Sequence, residues 1–249
     1  MHMTADEVVD YHQERIKERK ATETDLGVGF LRYRTDLISV DLSKLTEVKV
    51  IGDGFMNSCA SLKSITLPEN LQSIDNWFMW GVSSLQHITL PNSLNSIGDW
   101  FMVECASLKS ITLPQNLQSI GNWFMSDCTS LESITLPQSI TSIGIWFMNQ
   151  CTSLKSITLP NNIINIDHCF MKDCTSLESI TLPENVNSID HWFMKNCTSL
   201  KSIALPENPQ DIGFFFMWGG ASLESIRLPE SLQSIGDWFM WRCKSLKNI

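Results

Sequence analysis

The sequence predicts an α/β solenoid of about nine turns, built from one 23-residue unit and preceded by an N-terminal helix. Two observations lead to this prediction. The apolar positions of the unit recur with little change from copy to copy, and its proline recurs in every full copy. The spacing of its leading serine never slips over eight full copies, which begin at Ser61, Ser84, Ser107, Ser130, Ser153, Ser176, Ser199 and Ser222, with a further start at Ser245. A constant period of this length is typical of chains whose units stack only on their neighbours.

Composition excludes several classes of protein. The 249 residues are 43% hydrophobic, which is ample for a continuous core. The net charge is −9 and lysine and arginine form no cluster, so we expect no nucleic-acid partner. No apolar run reaches the roughly 20 residues of a membrane-spanning helix. The first residues lack the apolar core of a secretory signal, and Met1–Met3 has the look of a cloning scar behind which a natural signal has been removed.

The N-terminal segment is predicted to be helical. Thr4 followed by Glu7 matches a capping box, and Ala5 to about Ala21 is rich in helix formers. A narrow apolar face consists of Val8, Tyr11, His12 and Ile16. We therefore assign residues 1–36 to a helical cap over the open end of the core, with a partner-binding helix as the alternative. Residues 37–249 are assigned to the solenoid, whose first unit is degenerate.

One unit reads as one coil. Counted from the leading serine, positions 2, 5, 7, 11, 14 and 18 are apolar, which in the fourth copy are Leu131, Ile134, Leu136, Ile140, Ile143 and Phe147. Positions 5 and 7 share one face of a short strand, and the proline at position 8 ends that strand. Glycine or aspartate at position 15 allows a bend, and positions 14 and 18 suit a short helical or irregular return.

The pattern Leu-x-x-Ile-x-Leu-Pro-x-x-Leu-x-x-Ile-Gly-x-x-x-Phe-x-x-x-Cys resembles the BspA-like, treponemal-type leucine-rich repeats from Leu37 to Ile249. The resemblance implies a right-handed leucine-rich-repeat solenoid with parallel strands on its concave face. It implies protein interaction or adhesion at a bacterial surface, with an unidentified host or surface protein as partner, and no catalysis. It also implies a cell-surface or secreted protein, whereas a natural lack of a signal peptide would imply the cytoplasm. The chain departs from the family at position 17, where tryptophan replaces the usual small residue.

That tryptophan is the first candidate binding feature. The position holds Trp77, Trp100, Trp123, Trp146, Trp192 and Trp238, each followed by the core phenylalanine and then by methionine. Either the indoles stack flat between coils, or they form an exposed apolar ridge that binds a partner. The sequence leaves both readings open.

The second candidate is the outward face of the strands. Serine dominates position 4, and position 6 includes Thr112, Thr135, Thr158 and Thr181. A regular hydroxyl array of this kind is the alternative function, a glycan- or ice-binding lattice, although threonine also simply suits a strand. Position 3 alternates Lys109, Glu132, Lys155, Glu178, Lys201, Glu224 and Lys247, which we expect to pair between turns and to resist a slip in register.

Cysteine and histidine columns complete the unit. Position 22 carries Cys59, Cys105, Cys128, Cys151, Cys174, Cys197 and Cys243. We interpret them as reduced core thiols, because an odd run of equivalent cysteines gives no unique pairing and buried cysteine packs as a small apolar residue. Disulfides or a zinc site are the alternatives, and no CxxC spacing supports them. His168 and His191 occupy the same position in successive units. We interpret this position as a solvated bend, with a metal site as the alternative. We predict no metal, no cofactor and no catalytic residues, because no nucleophile–base arrangement or phosphate loop is present.

The C-terminal edge predicts self-association. The chain stops at Ile249 inside a unit, and no capping element follows. An uncovered strand edge invites pairing, so we expect a homodimer through this end.

Overall fold

A computed structural model, which describes residues 1–248, arranges one helix and eighteen short strands as a solenoid. No helix in this range has the length and apolar character needed to cross a bilayer. In chain order the elements are β1 (His2–Met3), α1 (Ala5–Lys17), β2 (Ser39–Asp41), β3 (Val50–Ile51), β4 (Ser64–Thr66), β5 (Ser73–Ile74), β6 (His87–Thr89), β7 (Ser96–Ile97), β8 (Ser110–Thr112), β9 (Ser119–Ile120), β10 (Ser142–Ile143), β11 (Ser156–Thr158), β12 (Asn165–Ile166), β13 (Ser179–Thr181), β14 (Ser188–Ile189), β15 (Ser202–Ala204), β16 (Asp211–Ile212), β17 (Ser225–Arg227) and β18 (Ser234–Ile235).

The strands form two parallel ladders whose register advances by one repeat. The predicted ladder at positions 4–6 pairs, for example, β11 with β13 and β15 with β17. Its isoleucine is buried and its neighbours on either side are exposed, which confirms the predicted faces. In the fourth copy this ladder thins to a single bridge from Ser133 to Ser156. A second ladder at positions 13–14 runs through β3, β5, β7, β9 and β10 and again through β12, β14, β16 and β18, and the sequence reading missed it.

The return path of each coil is a run of turns, not a helical turn. Positions 17 and 21 have positive φ in nearly every repeat, and position 19 in most of them. Of the two readings of this segment, the irregular one is therefore correct. The i and i+4 spacing of positions 14 and 18 misled because a buried strand end followed by tight turns places apolar side chains inward at the same interval.

A stack of phenylalanine rings forms the axis of the core. Position 18 is fully or almost fully buried from Phe55 to Phe216. Consecutive rings lie nearly parallel, with centroids 5.4 Å apart for Phe101 and Phe124 and 5.6 Å apart for Phe124 and Phe147. The methionine that follows each phenylalanine is also buried, as are the position-22 cysteines up to Cys197.

Helix α1 covers the N-terminal end of this stack. Its capping box is present, since the Glu7 amide donates to Thr4 Oγ1 and the Thr4 amide donates to the Glu7 carboxylate. The Tyr11 ring meets Phe30 edge-on at 5.3 Å, and Val8 and His12 are buried. The helix ends at Lys17, earlier than predicted, because the chain turns away through Glu18 and Arg19, whose φ is +61°.

Residues 26–33 form a half-turn that extends the phenylalanine stack beyond the degenerate first unit, towards the N-terminus. The Leu26 amide donates to the Val50 carbonyl, and the Phe30 ring stacks on Phe55 at 5.8 Å. The sequence contained a signal for it, because Gly27–Phe30 has the spacing Gly-x-Gly-Phe that recurs in Gly52–Phe55. The boundary between cap and solenoid after residue 36 stays a prediction.

Candidate binding surfaces

The position-17 residues form a continuous column along the solenoid, here called the indole column. Backbone hydrogen bonds between turns build it. The Trp100 amide donates to the Asn122 carbonyl and the Trp123 amide to the Ile145 carbonyl, both at 2.8 Å. From the first full unit onward its members are Trp77, Trp100, Trp123, Trp146, Cys169, Trp192, Phe215 and Trp238.

The middle of the indole column is a flat stack. Trp100 and Trp123 have centroids 4.5 Å apart and planes 6° apart, and Trp123 and Trp146 repeat this at 4.5 Å and 7°. All three side chains are half-buried. The two readings of the column are thus combined, since the rings stack on one another and also remain accessible to solvent. Whether they bind a partner stays a prediction.

The column is interrupted at Cys169 and resumes in the later turns. Trp192 stacks on Phe215 at 4.1 Å, and Phe215 faces Trp238 at 6.3 Å. Trp238 is 53% exposed. At the other end Trp77 is 39% exposed and stacks on no other ring within residues 1–248.

The backbone of this column is unfavourable for tryptophan. Trp77, Trp100, Trp123 and Trp146 have φ between +55° and +59°, a region that costs a bulky side chain roughly 1–2 kcal/mol. A stacked aromatic pair returns about 0.5–1.5 kcal/mol beyond the area it buries. For the stacked members Trp100, Trp123 and Trp146, stacking therefore about offsets the strain of the backbone, and the net stabilisation comes from the area that the half-buried rings remove from water.

Position 20 adds a second row of side chains beside the column. The Lys195 ammonium lies 4.7 Å from the Trp192 centroid and 4.2 Å from that of Trp218. The Lys172 ammonium lies 5.6 Å from the Trp146 centroid. These are cation–π distances. The signal in the sequence was the presence of both residue types at one position, as Lys172, Lys195, Trp218 and Trp241, which becomes meaningful only once positions 17 and 20 are known to be neighbours.

The candidate threonines all lie on the exposed strand face. Thr158 and Thr181 are paired in register in β11 and β13, and Thr112 ends β8. Thr135 is exposed but falls in the copy without a strand at this place, so the strand pairing under the hydroxyl array is reduced to one bridge at its centre. Of the alternating charges at position 3, only Lys247 and Glu224 form an ion pair within residues 1–248, at 3.1 Å. The expected pairing between the other turns is therefore not formed.

Position 16 carries a ladder of side-chain acceptors that the sequence reading took for a solvated bend. Asp99 Oδ1 accepts from the Asn122 amide at 2.7 Å, and Asn122 Oδ1 accepts from the Ile145 amide at 3.0 Å. His191 Nδ1 plays the same part for the Phe214 amide at 3.0 Å. Asparagine, aspartate and histidine share an acceptor atom at this reach, which explains why they alternate here.

His168, Asp190 and His191 lie together at this ladder, with one candidate ligand atom from each within 4.8 Å of the others. His168 Nδ1 is 2.7 Å from Asp190 Oδ2, and the two imidazole centroids are 5.0 Å apart. His191 Nδ1 already accepts the Phe214 amide, so only its Nε2 remains for another ligand. The juxtaposition expected from the sequence is present, and its nitrogen atoms are largely engaged in structural contacts.

The position-22 cysteines are free thiols in the core. Cys128 Sγ donates to the Met102 carbonyl at 3.2 Å, and Cys151 Sγ to the Met125 carbonyl at 3.3 Å. Burial raises the pKa of Cys105 to about 12 and that of Cys59 to about 11. A thiol held protonated in this way is a poor nucleophile and a poor metal ligand.

Comparisons with known proteins agree with this geometry. The sequence profile described as "BspA type Leucine rich repeat region" matches residues 30–151 and 123–247, in six copies. No curated protein matches the chain. Among solved structures, the pneumococcal vaccine antigen PcpA is 20% identical with a TM-score of 0.54, over 86% of this chain and 56% of that one. A leucine-rich repeat protein of Bacteroides ovatus is 21% identical with a TM-score of 0.38, over 90% and 81%. A leucine-rich repeat protein of T. pallidum is 21% identical with a TM-score of 0.46, over 81% and 72%.

Proposed function

Since this chain belongs to the BspA-type leucine-rich-repeat family, we propose that it is a non-enzymatic module for protein interaction or adhesion, and that its partner docks on the indole column. The observation that carries the proposal is the stack of Trp100, Trp123 and Trp146, which is flat, half-exposed and held in left-handed backbone. Half-exposed tryptophan is enriched at protein interfaces, because a rigid ring contributes a large contact area at a small cost in conformational entropy.

The cation–π contacts beside the column support the same surface. Lys195 places positive charge next to Trp192 on a chain whose net charge is −9, whereas Lys172, beside Trp146, is ion-paired with Asp173 at 2.7 Å. A partner with an apolar contact surface and an acidic rim would meet both features. We propose a protein partner of this chemistry, from a host or from a bacterial surface.

The double variant Trp100→Ser/Trp123→Ser tests this role. We expect the free energy of unfolding to fall by about 1–3 kcal/mol, since two stacked contacts are lost and the side chains are only half-buried. A protein captured by the wild-type solenoid should no longer be captured. A loss above about 4 kcal/mol would assign the rings to core packing instead.

The strand face provides the matched control. Thr112→Val/Thr135→Val/Thr158→Val removes hydroxyls but keeps shape and β-propensity, so it should leave capture unchanged. If the partner is still captured by the tryptophan variant but not by the threonine variant, the result would favour the alternative function, a binding lattice on the strand face. Thr181 belongs to the same face.

We also propose that the chain of 249 residues self-associates end to end. Ile249 lies outside the described residues, but Ile235, Trp238 and Trp241 in the last turn are each more than 40% exposed. Light scattering of the wild-type protein at rising concentration tests this proposal. We expect the molar mass to rise towards that of a dimer, and a strict monomer at high concentration contradicts the proposal.

A further inference from the structure

The indole column has an open place at its N-terminal end. In the two turns before Trp77 the equivalent residues are Gly29 and Gly54. The ladder of backbone bonds continues through both, since the Gly29 amide donates to the Asp53 carbonyl at 2.7 Å and the Gly54 amide to the Asn76 carbonyl at 2.9 Å. The backbone path of the column is therefore intact here and only the rings are missing.

A cleft of about 430 Å³ occupies this place. Two indoles, Trp77 and Trp80, border it together with Gly54. A Cβ atom built on Gly54 would meet nothing closer than Arg32 Cδ, at 3.9 Å, so the space next to the glycine is open. The interruption at Cys169 differs, because Lys172 and Lys195 lie against the neighbouring rings there.

The polar lining of the cleft offers donors and acceptors together. Asn57 is only 4% exposed, and its Oδ1 accepts from Ser58 Oγ at 2.7 Å, which leaves its Nδ2 group as a donor. Asp53 Oδ1 accepts from the Asn76 amide at 2.9 Å, which leaves Oδ2 as an acceptor. Arg32 adds a guanidinium, which lies 4.7 Å from the Tyr33 ring centroid.

Trp80 contributes an unpaired group. Its indole Nε1 is buried and meets no hydrogen-bond partner within residues 1–248. A buried donor without an acceptor is unfavourable, but this atom has almost no accessible surface, so a ligand in the cleft would meet the Trp80 ring and not its N–H.

A ligand for this cleft needs one flat apolar face and several groups that both donate and accept. A pyranose ring has an apolar face of C–H groups and hydroxyls around its rim, so it matches the exposed indole of Trp77 and the mixed polar lining. An aromatic side chain of a partner would match the indole only. We propose that this cleft binds a neutral hexopyranose ring, such as the terminal sugar of a glycan.

The test uses the full chain and a panel of methyl glycosides, namely the glucoside, galactoside, mannoside and N-acetylglucosaminide. Saturation-transfer NMR and tryptophan fluorescence would follow each titration. We expect saturable binding of at least one glycoside. N-acetyltyrosinamide serves as the probe for the aromatic alternative, and saturable binding of this amide with none of the glycosides overturns the proposal.

Three variants locate the site. Gly54→Trp should abolish binding by filling the cleft, and the left-handed φ of +69° at Gly54 is one that tryptophan already adopts in the next turn. Trp77→Ala should weaken binding about tenfold or more, as expected for the loss of one aromatic contact. Asp53→Asn keeps the Oδ1 acceptor for the Asn76 amide but replaces Oδ2, and it should also weaken binding.

Phe214→Ala removes an exposed aromatic ring in a later turn, outside the cleft and the indole column, so it is the control and should bind the sugar as the wild type does. Binding that persists in Gly54→Trp, or that is lost equally in Phe214→Ala, contradicts the site. If Gly54→Trp does not fold, Trp77→Ala and Asp53→Asn decide the matter, and unchanged affinity in both rejects the cleft. Capture of a protein partner through Trp100 and Trp123 is measured separately, so either proposal fails without the other.

Discussion

At the scale of single residues, burial separates the neighbouring aromatic side chains of one unit. Phe147 is fully buried, whereas Trp146 beside it is half-buried and stacks on Trp123. Two adjacent aromatic residues therefore have different tasks, and the left-handed φ of +57° at Trp146 marks the point where the chain turns between them. The phenylalanine contributes to the core and the tryptophan forms a surface.

Phe147→Ala tests the core assignment. The ring is fully buried between Phe124 and Phe170, so its loss should lower the free energy of unfolding by roughly 3–5 kcal/mol in chemical denaturation. Phe239→Ala, in the half-buried last turn, is the matched control and should cost clearly less. A loss below about 1 kcal/mol for Phe147→Ala would mean that the assigned register is wrong.

At the scale of elements, side chains join successive turns where strands are too short to do so alone. The second ladder has only two residues per strand, and position-16 acceptors such as Asp99 and Asn122 continue it by one more bond in the turns that carry such an acceptor. Gly121 belongs to the same bend, because a Cβ there would lie 2.6 Å from the carbonyl group of Gly98. Close approach of the turns thus explains both the glycine and the polar residue after it.

Asn122→Ala tests the position-16 ladder. It leaves the Ile145 amide without its acceptor, and we expect a loss of roughly 0.5–1.5 kcal/mol in the free energy of unfolding. Ile145 is the one aliphatic residue at this position between Asp53 and Asp237. Ile145→Asn would supply an acceptor for the His168 amide of the next turn, so it should not lower the free energy of unfolding. Equal losses in both variants would show that the ladder contributes nothing measurable.

At the scale of the whole molecule, stability is expected to be a sum over turns and over the contacts between neighbouring turns. The Phe stack runs through all of these contacts, and the cysteine column runs without interruption from Cys105 to Cys197. Buried thiols are favourable while they are protonated, because they pack as small apolar groups and donate to methionine carbonyls in the turn before.

The cysteine column predicts a loss of stability at alkaline pH. Burial raises the pKa of Cys105 and Cys174 to about 12, above the ordinary thiol value of 9.0. Above that ordinary value the unfolded chain releases thiol protons that the folded chain keeps, so the free energy of unfolding falls as pH rises towards the folded pKa. Urea titrations at several alkaline pH values would measure the slope. Cys105→Ala/Cys128→Ala/Cys151→Ala should reduce it, and an unchanged slope would assign the effect to other groups.

The repeat length, the inward-facing positions, the strand that ends at proline and the capped N-terminal helix could all be predicted from the amino-acid sequence. These follow from local periodicity and chain stereochemistry, which are complete within one unit. The alternating charges at position 3 show the limit of that reasoning. Their long side chains are solvated, and within residues 1–248 only Lys247 and Glu224 form an ion pair.

The contacts between side chains of different turns could be seen only in the three-dimensional structure. The stacking of Trp100 on Trp123, the lysines beside the indole column and the acceptors at position 16 all depend on left-handed residues and on tight turns that no periodicity encodes. The cleft at Gly54 has the same origin. It is bordered by residues from the half-turn, such as Val28 and Arg32, and from two later turns, and their contact exists only once the coils are stacked.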